Sequence, residues 1–575
     1  MRTSSRRIAA ALFLFAAGVA EARVHPESAP RTAEPWPDIS ELVSRDGVLD
    51  LTLKLAYADL EIAGQKVRLR TYNGALVGPT LRVRPGDTLR VRLVNGLPCP
   101  AGQDCDPAKC QKNPCDGGAE QGHAGHHAAA WTVPPASVFN STNLHLHGLH
   151  VSPSCNSDNV LLDIGPGCEF QFEFKIPANH PAGTYWYHPH VHGATAIQVS
   201  SGAVGSLIVE GDFDRVPGMP GKLSERNLLF QQIPYKCDLK KAGDWKCKAG
   251  QTGVVEDFGQ QVVFGKWDDS GRFTSINGAV QPEIRMRPGE VQRWRLIHGG
   301  VRETLMVAVG EKSGRDRFKA VPGWLRVIAL DGLPTGGVKE QREVELQPGY
   351  RVDVLVRAPE KPGTYYLLDE PSDPLLRVRD ALHSLAAALE AVPQEPRKVL
   401  AVIQVGGTPS CSDPEAPCHR ELPEAAQLAR FRLPSVTDEE IAGRQPQKVF
   451  FDIDIKSKPF KFQVCGKTFD AAVPPRSLEL GKADEWIVGS SLIAGHPFHI
   501  HVNPFEVIDD KTGERYWKDT ILIKPGHKVR LRTRYETFDG DFVLHCHILD
   551  HEDQGMMQLV RIAPGPQPVY DCPMR

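Results

Sequence analysis

Histidine recurs in four short clusters whose spacing suits metal binding. Alternate side chains of a β-strand share one face, so two histidines separated by one residue point to the same side. Imidazole suits copper, iron, nickel and zinc, and eight imidazoles in four such pairs exceed the needs of a mononuclear site. The spacing therefore predicts a polynuclear metal cluster. Its candidate ligands are His145 and His147, His188 and His190, His499 and His501, and His545 and His547.

The residue between the last two histidines indicates a second metal site. Cys546 must face away from the histidines on either side, because neighbouring side chains of a strand alternate between its faces. His551, Met556 and His496 can complete a site on that other face. One thiolate, two imidazoles and a distant thioether are the ligands of a blue-copper electron-transfer centre. Since the backbone connects Cys546 directly to two cluster histidines, an electron that enters at the cysteine has a short route.

The elements that must position these ligands are short alternating strands separated by Pro-Gly turns, which predict an all-β protein. A strand-turn-strand unit occurs at residues 80–93 and again at 282–296. A second unit, a strand that opens with glycine and continues with aromatic or apolar residues, begins at Gly183, Gly363 and Gly540. Such repeats indicate structural units of one plan. Three β-sandwich domains are the simplest account.

The predicted domain boundaries follow from these repeats. We expect a first domain at residues 45–213, a second at 225–407 and a third at 440–575, with a linker between the last two. The middle copy of the glycine-led strand has Leu368 and Glu370 where the other copies carry histidines. The second domain is therefore expected to hold no metal ligand, and the cluster needs both other domains.

The four histidine motifs resemble those of the multicopper oxidases. That family, which contains laccases, bilirubin oxidases, ferroxidases and cuprous oxidases, has motifs of the forms HxHG, HxH, HxxHxH and HCHxxxHxxxxM, and all four occur here in that order. The resemblance implies three cupredoxin-like Greek-key β-sandwich domains and four copper ions. By position it implies a type 1 copper at His496, Cys546, His551 and Met556, a type 2 copper at His145 and His499, and a type 3 pair at His147, His188, His190, His501, His545 and His547.

The resemblance also implies an activity. Such an enzyme takes single electrons from a reducing substrate at the type 1 copper, and four of them reduce dioxygen to water at the three-copper cluster. The substrate is expected to dock near His551 and to lose its electron through that imidazole. Because this reduction consumes protons, carboxylates near the cluster are expected as relays. Asp158 and Glu552 match the positions of such groups in family members, and ordinary surface carboxylates are the alternative for both.

The sequence leaves the electron donor open. Phenols and aromatic amines are the first choice, because a laccase-like enzyme needs only an accessible type 1 site. The seven methionines form no cluster away from the C-terminal motif, of the kind that cuprous oxidases often carry. Asp550, Glu552 and Asp553 keep a ferroxidase in consideration. A metal-ion oxidase is therefore the alternative, and a copper storage or resistance protein is the non-enzymatic one. A two-copper nitrite reductase fits less well, because it lacks the histidine that follows the cysteine here, His547.

The thirteen cysteines are an odd number, so at least one has a role other than a disulfide. Cys237 with Cys247, and Cys411 with Cys418, are close enough for local bridges, and the other pairings are left open. Segment 99–127 adds four cysteines and three histidines before the first motif. Disulfides are expected there, with a metal-collecting loop as the alternative. Two histidines beside the motifs are expected to lie outside the metal sites: His150 and His192.

Charge and the N-terminus bear on location. Lys and Arg number 67 against 70 Asp and Glu, so no basic surface for nucleic acid or anionic membranes is expected. Residues 1–22 combine three arginines, an apolar run and a small-residue cleavage site, as an export signal does. A twin-arginine signal and a plain secretory signal are both compatible with this segment. The apolar run is shorter than the roughly 20 residues of a membrane span. A periplasmic or secreted protein is expected, with dioxygen and a small reducing substrate as partners.

Overall fold

The computed structural model describes residues 32–100, 105–116, 138–237, 247–248, 250–257, 272–313, 318–369, 398–407, 421–473 and 475–574. In these ranges the chain forms six β-sheets and three short α-helices. The all-β prediction is confirmed.

The strands are numbered along the chain. The first group is β1 (Glu41–Val43), β2 (Val48–Ile62), β3 (Gln65–Tyr72), β4 (Thr80–Val83), β5 (Thr88–Asn95), β6 (His145–His147), β7 (Glu169–Lys175), β8 (Gly183–His188) and β9 (Gly205–Val209). The second group is β10 (Glu225–Gln232), β11 (Gly253–Val254), β12 (Thr274–Ile276), β13 (Glu283–Met286), β14 (Val291–His298), β15 (Leu305–Lys312), β16 (Phe318–Ala320), β17 (Leu325–Leu330), β18 (Leu333–Gln341), β19 (Glu343–Leu346), β20 (Arg351–Arg357), β21 (Gly363–Asp369) and β22 (Lys398–Val405). The third group is β23 (Gln447–Asp454), β24 (Lys461–Val464), β25 (Arg476–Glu479), β26 (Ala483–Ser490), β27 (His496–Ile500), β28 (Phe505–Ile508), β29 (Arg515–Lys518), β30 (Thr520–Ile523), β31 (Lys528–Arg534), β32 (Gly540–Cys546) and β33 (Met557–Ala563). The helices are α1 (Thr195–Ser200), α2 (Ala425–Ala429) and α3 (Leu549–Asp553).

Each group builds a two-sheet sandwich. The sheet orders are β1-β4-β9-β8-β6 with β11-β3-β2-β5-β7, then β12-β10-β14-β20-β17-β18 with β13-β22-β21-β15-β16 (β19 pairs with β15), and finally β24-β23-β26-β31-β28-β29 with β25-β33-β32-β27-β30. One apolar core fills each sandwich, since strands such as β2 alternate buried and solvent-facing residues. β11 lies in the second group of the sequence but pairs with β3 of the first sandwich.

The strand-turn-strand repeat occurs three times and carries the chain from one sheet of a sandwich to the other. It joins β4 to β5, β13 to β14 and β25 to β26. The turn glycines Gly86, Gly289 and Gly481 have φ of 91°, 72° and 77°, a conformation that favours glycine. The third copy was missed in the sequence because Leu480-Gly481 replaces the Pro-Gly pair.

The glycine-led strands β8, β21 and β32 occupy equivalent places in the three sandwiches. β8 lies beside β9, β21 beside β22 and β32 beside β33. Leu368 of β21 is fully buried in an apolar cluster, and the lack of metal ligands in the second domain stays a prediction. Glu370 lies outside the described residues. The predicted boundaries at 45–213, 225–407 and 440–575 stay predictions.

Five disulfides connect the described cysteines. Cys237–Cys247 is confirmed, and the disulfide interpretation of segment 99–127 is confirmed by Cys99–Cys105, Cys110–Cys168 and Cys115–Cys155. The fifth, Cys465–Cys572, joins residues 107 positions apart. The predicted pair Cys411–Cys418, the histidines of segment 99–127 and the predicted signal at 1–22 lie outside the described residues. Among the described helices, none has the length and apolar character needed to cross a bilayer.

Candidate metal centres

The four histidine pairs converge between the first and third sandwiches. β6 pairs with β8, which sets His145 opposite His188, and β27 pairs with β32, which sets His499 opposite His545. Rings from the two sandwiches stack directly: His145 on His501 and His147 on His499, each with centroids 3.9 Å apart. The shared strand faces thus bring all eight imidazoles into one buried cluster.

Ring nitrogens in this cluster lie at distances that a metal ion can bridge. His545 Nε2 lies 3.2 Å from both His190 Nε2 and His501 Nε2. His547 Nε2 lies 3.2 Å from His147 Nδ1. Three-histidine groups with nitrogens within 4.8 Å of one another occur across it. They are His190, His501 and His545; His145, His147 and His188; and His145, His499 and His501.

The outer nitrogens of several rings are fixed by the protein, which aims the inner nitrogens at the centre. The Nδ1 atoms of His188 and His499 lie 2.8 Å from the carbonyl oxygens of Pro189 and Asp519. Their Nε2 atoms, and that of His145, are buried and find no hydrogen-bond partner among the described residues. Buried polar atoms without partners are rare unless an ion or water satisfies them. The donor set therefore fits bound metal.

Burial and mutual crowding favour the neutral form of seven of these imidazoles, the form in which they bind metal. Burial is the largest cause and neighbouring histidines add to it. Together they lower the pKa of His190 to about 4 and that of His499 to about 3. Burial likewise holds the pKa of five others well below the usual range: His145, His147, His188, His501 and His547.

A second buried donor set lies on the other face of β32. Cys546 Sγ is 3.4 Å from His496 Nδ1 and 3.9 Å from His551 Nδ1, and these two nitrogens are 3.4 Å apart. Met556 is fully buried, and its carbonyl oxygen accepts the Cys546 N–H at 3.0 Å. Burial raises the pKa of the Cys546 thiol well above its usual value, so a thiolate here needs a cation. Of the described cysteines, Cys546 alone is outside a disulfide.

Asp158 and Glu552 are both buried, so the alternative of ordinary surface carboxylates is wrong. Asp158 places both oxygens 3.0 Å from His145 Nδ1 and accepts the Leu146 N–H. Burial raises its pKa to about 8. Glu552 Oε2 lies 3.1 Å from His545 Nδ1. Burial raises the pKa of Glu552, but nearby histidines outweigh it and the result is a value of about 2.

The other two acids near Cys546 are also buried and engaged. Asp550 is paired with Arg302, whose Nη2 lies 2.6 Å from Asp550 Oδ2. Asp553 accepts the N–H groups of Gly193, Thr195 and Ala196 at the start of α1. Neither carboxylate is exposed to solvent.

Three functional residues were missed in the sequence. Asp519 Oδ1 lies 3.2 Å from His147 Nε2, and Thr520 Oγ1 lies 3.1 Å from His499 Nδ1. Arg351 of the second sandwich donates from Nη1 to Asp519 Oδ1 at 2.8 Å and from Nη2 to Oδ2. No spacing marks these residues, since tertiary packing alone brings them to the cluster.

His150 and His192 lie beside the clusters without joining a group of converging donors among the described residues. His150 donates from Nδ1 to the Val502 carbonyl oxygen at 2.9 Å. The His192 ring packs against Phe469, with centroids 4.9 Å apart.

Comparison with known proteins gives a consistent result. Three family models described as multicopper oxidase match residues 137–213, 242–380 and 443–566. The multicopper oxidase mco of Staphylococcus aureus is 23% identical over 505 residues, covering 85% of this chain and 83% of that protein. A laccase of Haloferax volcanii is 23% identical over 504 residues, covering 84% and 76%.

Solved structures share the fold. A multicopper oxidase from Campylobacter jejuni, described as a metallo-oxidase, superposes with a TM-score of 0.65 at 22% identity, covering 94% of this chain and 97% of that one. A laccase-like multicopper oxidase, CueO, from Ochrobactrum sp. gives 0.63 at 22% identity, covering 92% and 100%. With three cupredoxin-like sandwiches, two converging donor sets and matches along most of its length, the chain belongs to the multicopper oxidase family and is a copper-binding oxidoreductase.

Proposed function

We propose that this chain couples four one-electron oxidations of phenols or aromatic amines to the reduction of dioxygen to water. The observation that carries this proposal is the position of Cys546, a buried free thiol between two cluster histidines and within 3.9 Å of two further imidazoles. A copper-storage protein has no need for a thiol that joins two donor sets through one strand.

The proposed ligands are those implied by the motifs. His496, Cys546, His551 and Met556 hold the type 1 copper, and His145 and His499 hold the type 2 copper. The type 3 pair is held by six histidines, and the close grouping of three of them supports one half of that pair. The six are His147, His188, His190, His501, His545 and His547.

Bound copper supplies the redox chemistry, accepting single electrons at one site and reducing dioxygen at the other. The protein holds the copper ions and connects the two sites. The peptide bonds on either side of Cys546 join it to His545 and His547, so an electron can pass between the two sites through covalent bonds alone. Asp158 and Glu552 are the proposed proton relays, because each is buried beside a cluster imidazole.

Organic donors are favoured over metal ions by the state of the acidic residues. Asp550, Glu552 and Asp553 kept a ferroxidase in consideration, but all three are buried and contact protein groups. A hard cation prefers several exposed carboxylate oxygens. A metal-ion oxidase in copper or iron homeostasis stays the alternative, and the same assay tests it.

We also propose export to the periplasm or medium, on the basis of the predicted signal at residues 1–22.

The test is an oxygen-uptake assay on the copper-loaded mature protein, with a phenol, a ferrous salt and a cuprous salt as parallel donors. We expect a blue protein whose fastest donor is the phenol. Faster uptake with either metal ion would transfer the proposal to the metal-ion alternative. A copper-loaded protein that consumes no oxygen with any donor would contradict an oxidase function.

A further inference from the structure

The outward edge of the His551 imidazole is covered by an arginine from the second sandwich. Arg302 Nη2 lies 3.2 Å from His551 Nε2, while His551 Nδ1 faces Cys546 Sγ at 3.9 Å. His551 is only 6% exposed, and Phe462 stacks on its ring with centroids 4.6 Å apart. The Arg302 side chain is 27% exposed. A donor that approaches this imidazole from solvent therefore meets Arg302.

Arg302 is fixed in this position by helix α3. Its Nε and Nη2 atoms donate to the two oxygens of Asp550 at 3.2 and 2.6 Å. The backbone assists, because Leu549 N–H donates to the Val301 carbonyl at 3.2 Å. Asp550 is fully buried whereas Arg302 reaches solvent, so the positive end of the ion pair faces outward. Glu303 also acts electrostatically on Arg302.

Arg302 and His551 present two hydrogen-bond donors to the same point. An imidazole that binds a metal through Nδ1 carries its proton on Nε2. A guanidinium has five N–H donors and no acceptor, so it cannot accept that proton. Two donors this close are stabilised by a third group that accepts from both. The oxygen of a phenolate, carboxylate or sulfonate has the lone pairs and the charge for this.

We propose that Arg302 makes the electron-entry site selective for anionic aromatic donors, one oxygen of the donor accepting hydrogen bonds from Arg302 and His551 together. This inference rests on the proposed function, since it assigns the substrate class of the same site. In each event the phenolic donor loses one electron through the His551 imidazole and one proton to water, leaving a phenoxyl radical. Dioxygen is the final oxidant. Cationic donors, Fe²⁺ included, are repelled by the guanidinium.

Three phenols that differ mainly in charge test the proposal at neutral pH: 4-hydroxy-3-methoxybenzoate, its methyl ester and 4-hydroxy-3-methoxybenzylamine. We expect kcat/KM in the wild type to fall from the anion to the neutral ester to the cation. In Arg302→Gln the anion-to-ester ratio should fall roughly tenfold, as expected for the loss of one charged hydrogen bond. Arg302→Lys should retain part of the preference, because it keeps the charge and loses the planar fork.

A binding measurement gives a readout that does not depend on turnover. Calorimetric titration of the copper-loaded protein with benzenesulfonate, which is redox-inert here, should show binding that weakens roughly tenfold in Arg302→Gln. Methyl phenyl sulfone, its neutral counterpart, should bind both proteins equally. If Arg302→Gln does not fold because Asp550 loses its partner, Arg302→Gln/Asp550→Asn removes the buried pair together and should give the same result.

One further variant serves as a control, and a second should change the preference in the opposite direction. Arg561→Gln breaks a similar pair with Asp541, five residues before Cys546 on β32 and so roughly 17 Å away; it should leave the donor ratios unchanged. Glu303→Gln removes an acid next to Arg302 and should raise the preference for the anion. Unchanged anion-to-ester ratios and benzenesulfonate affinity in Arg302→Gln would overturn the inference while phenol oxidation stands. Failure of the wild type to oxidise any of the phenols would instead overturn the proposed function.

Discussion

Asp519 acts on the histidine cluster through contacts with its outer nitrogens. Its side chain reaches His147 Nε2 at 3.2 Å, and its carbonyl oxygen lies 2.8 Å from His499 Nδ1. Partners of this kind fix the orientation and tautomer of a metal-binding imidazole. Arg351 holds Asp519 ionised, and the pKa of the carboxyl is lowered although burial alone would raise it.

We expect Asp519→Asn to weaken copper binding at the cluster and lower the rate of oxygen uptake by roughly 10- to 100-fold, the usual cost of losing such a partner. The blue absorption should persist, because the described side-chain contacts of Asp519 reach the histidine cluster and Arg351 rather than the donor set of Cys546. Copper analysis and the visible spectrum together check this. Asp510→Asn, at an exposed acid that pairs with Arg530, is the matched control. Full copper content and normal uptake in Asp519→Asn would refute the positioning role.

At the scale of single residues, sequence spacing identified the candidate ligands because each pair is local. His145 and His147 share a face through strand geometry alone. Asp519, Arg351 and Arg302 could not be found in this way, because their contacts cross between sandwiches. Asp158 and Glu552, by contrast, lie close to the motifs in sequence and were named from their positions there.

Strand β8 is held in place by close packing of its backbone against the second sandwich. It carries His188, and it packs against the turn before β18, where a Cβ added at Gly183 would collide with the backbone of Gly332. Arg295 Nη1 of β14 donates to Thr184 Oγ1 at 2.9 Å beside this contact. Close packing of backbone on backbone therefore sets the position of the histidine strand.

We expect Gly183→Ala to destabilise the protein by about 1–3 kcal/mol, the usual cost of overpacking, because a backbone carbonyl cannot move aside as a side chain tip can. The thermal melting temperature measures this. Gly337→Ala is the control, since an added Cβ there meets nothing within 4 Å. Equal melting temperatures for the two variants would show that the backbone contact between β8 and Gly332 can adjust to the added methyl group.

Element repeats were visible in the sequence only where turn residues were conventional. The Pro-Gly turns revealed the units at 80–93 and 282–296, whereas the third turn at Gly481 was recognised only from the sheets that it joins. Disulfides were likewise predictable only where the two cysteines are close in sequence. Cys237–Cys247 is local and was predicted, but Cys115–Cys155 and Cys465–Cys572 span 40 and 107 residues, and sequence gives no basis for such pairing.

At the scale of the whole molecule, a charged cluster joins the first two sandwiches. Glu225 at the start of β10 lies 2.8 Å from Arg82 Nη2 of β4 and 2.7 Å from Arg295 Nη2 of β14. Burial alone would raise the pKa of Glu225, but the arginines outweigh it and hold the pKa far below the usual range. Stability from this carboxylate is therefore full above the pKa of an unfolded glutamate, about 4.3, and declines as pH falls below it.

We expect Glu225→Gln to cost about 2 kcal/mol at neutral pH, as for a lost charged hydrogen bond. The difference from wild type should narrow below about pH 4, where the wild-type contribution itself declines. Melting temperatures over a pH series measure both the loss of stability at neutral pH and its decrease in acid. Glu173→Gln, at a solvent-exposed pair with Arg90, should have little effect. A difference that stays constant as the pH falls would contradict the electrostatic explanation.

The central claim is that Cys546 carries electrons from one donor set to the other, and one comparison tests it most directly. The visible spectrum and copper content of the loaded wild type are measured beside those of Cys546→Ser. We predict four coppers and intense blue absorption in the wild type, and three coppers, no blue absorption and no donor-dependent oxygen uptake in the variant. A colourless wild type, or a variant that stays blue and active, would contradict the account.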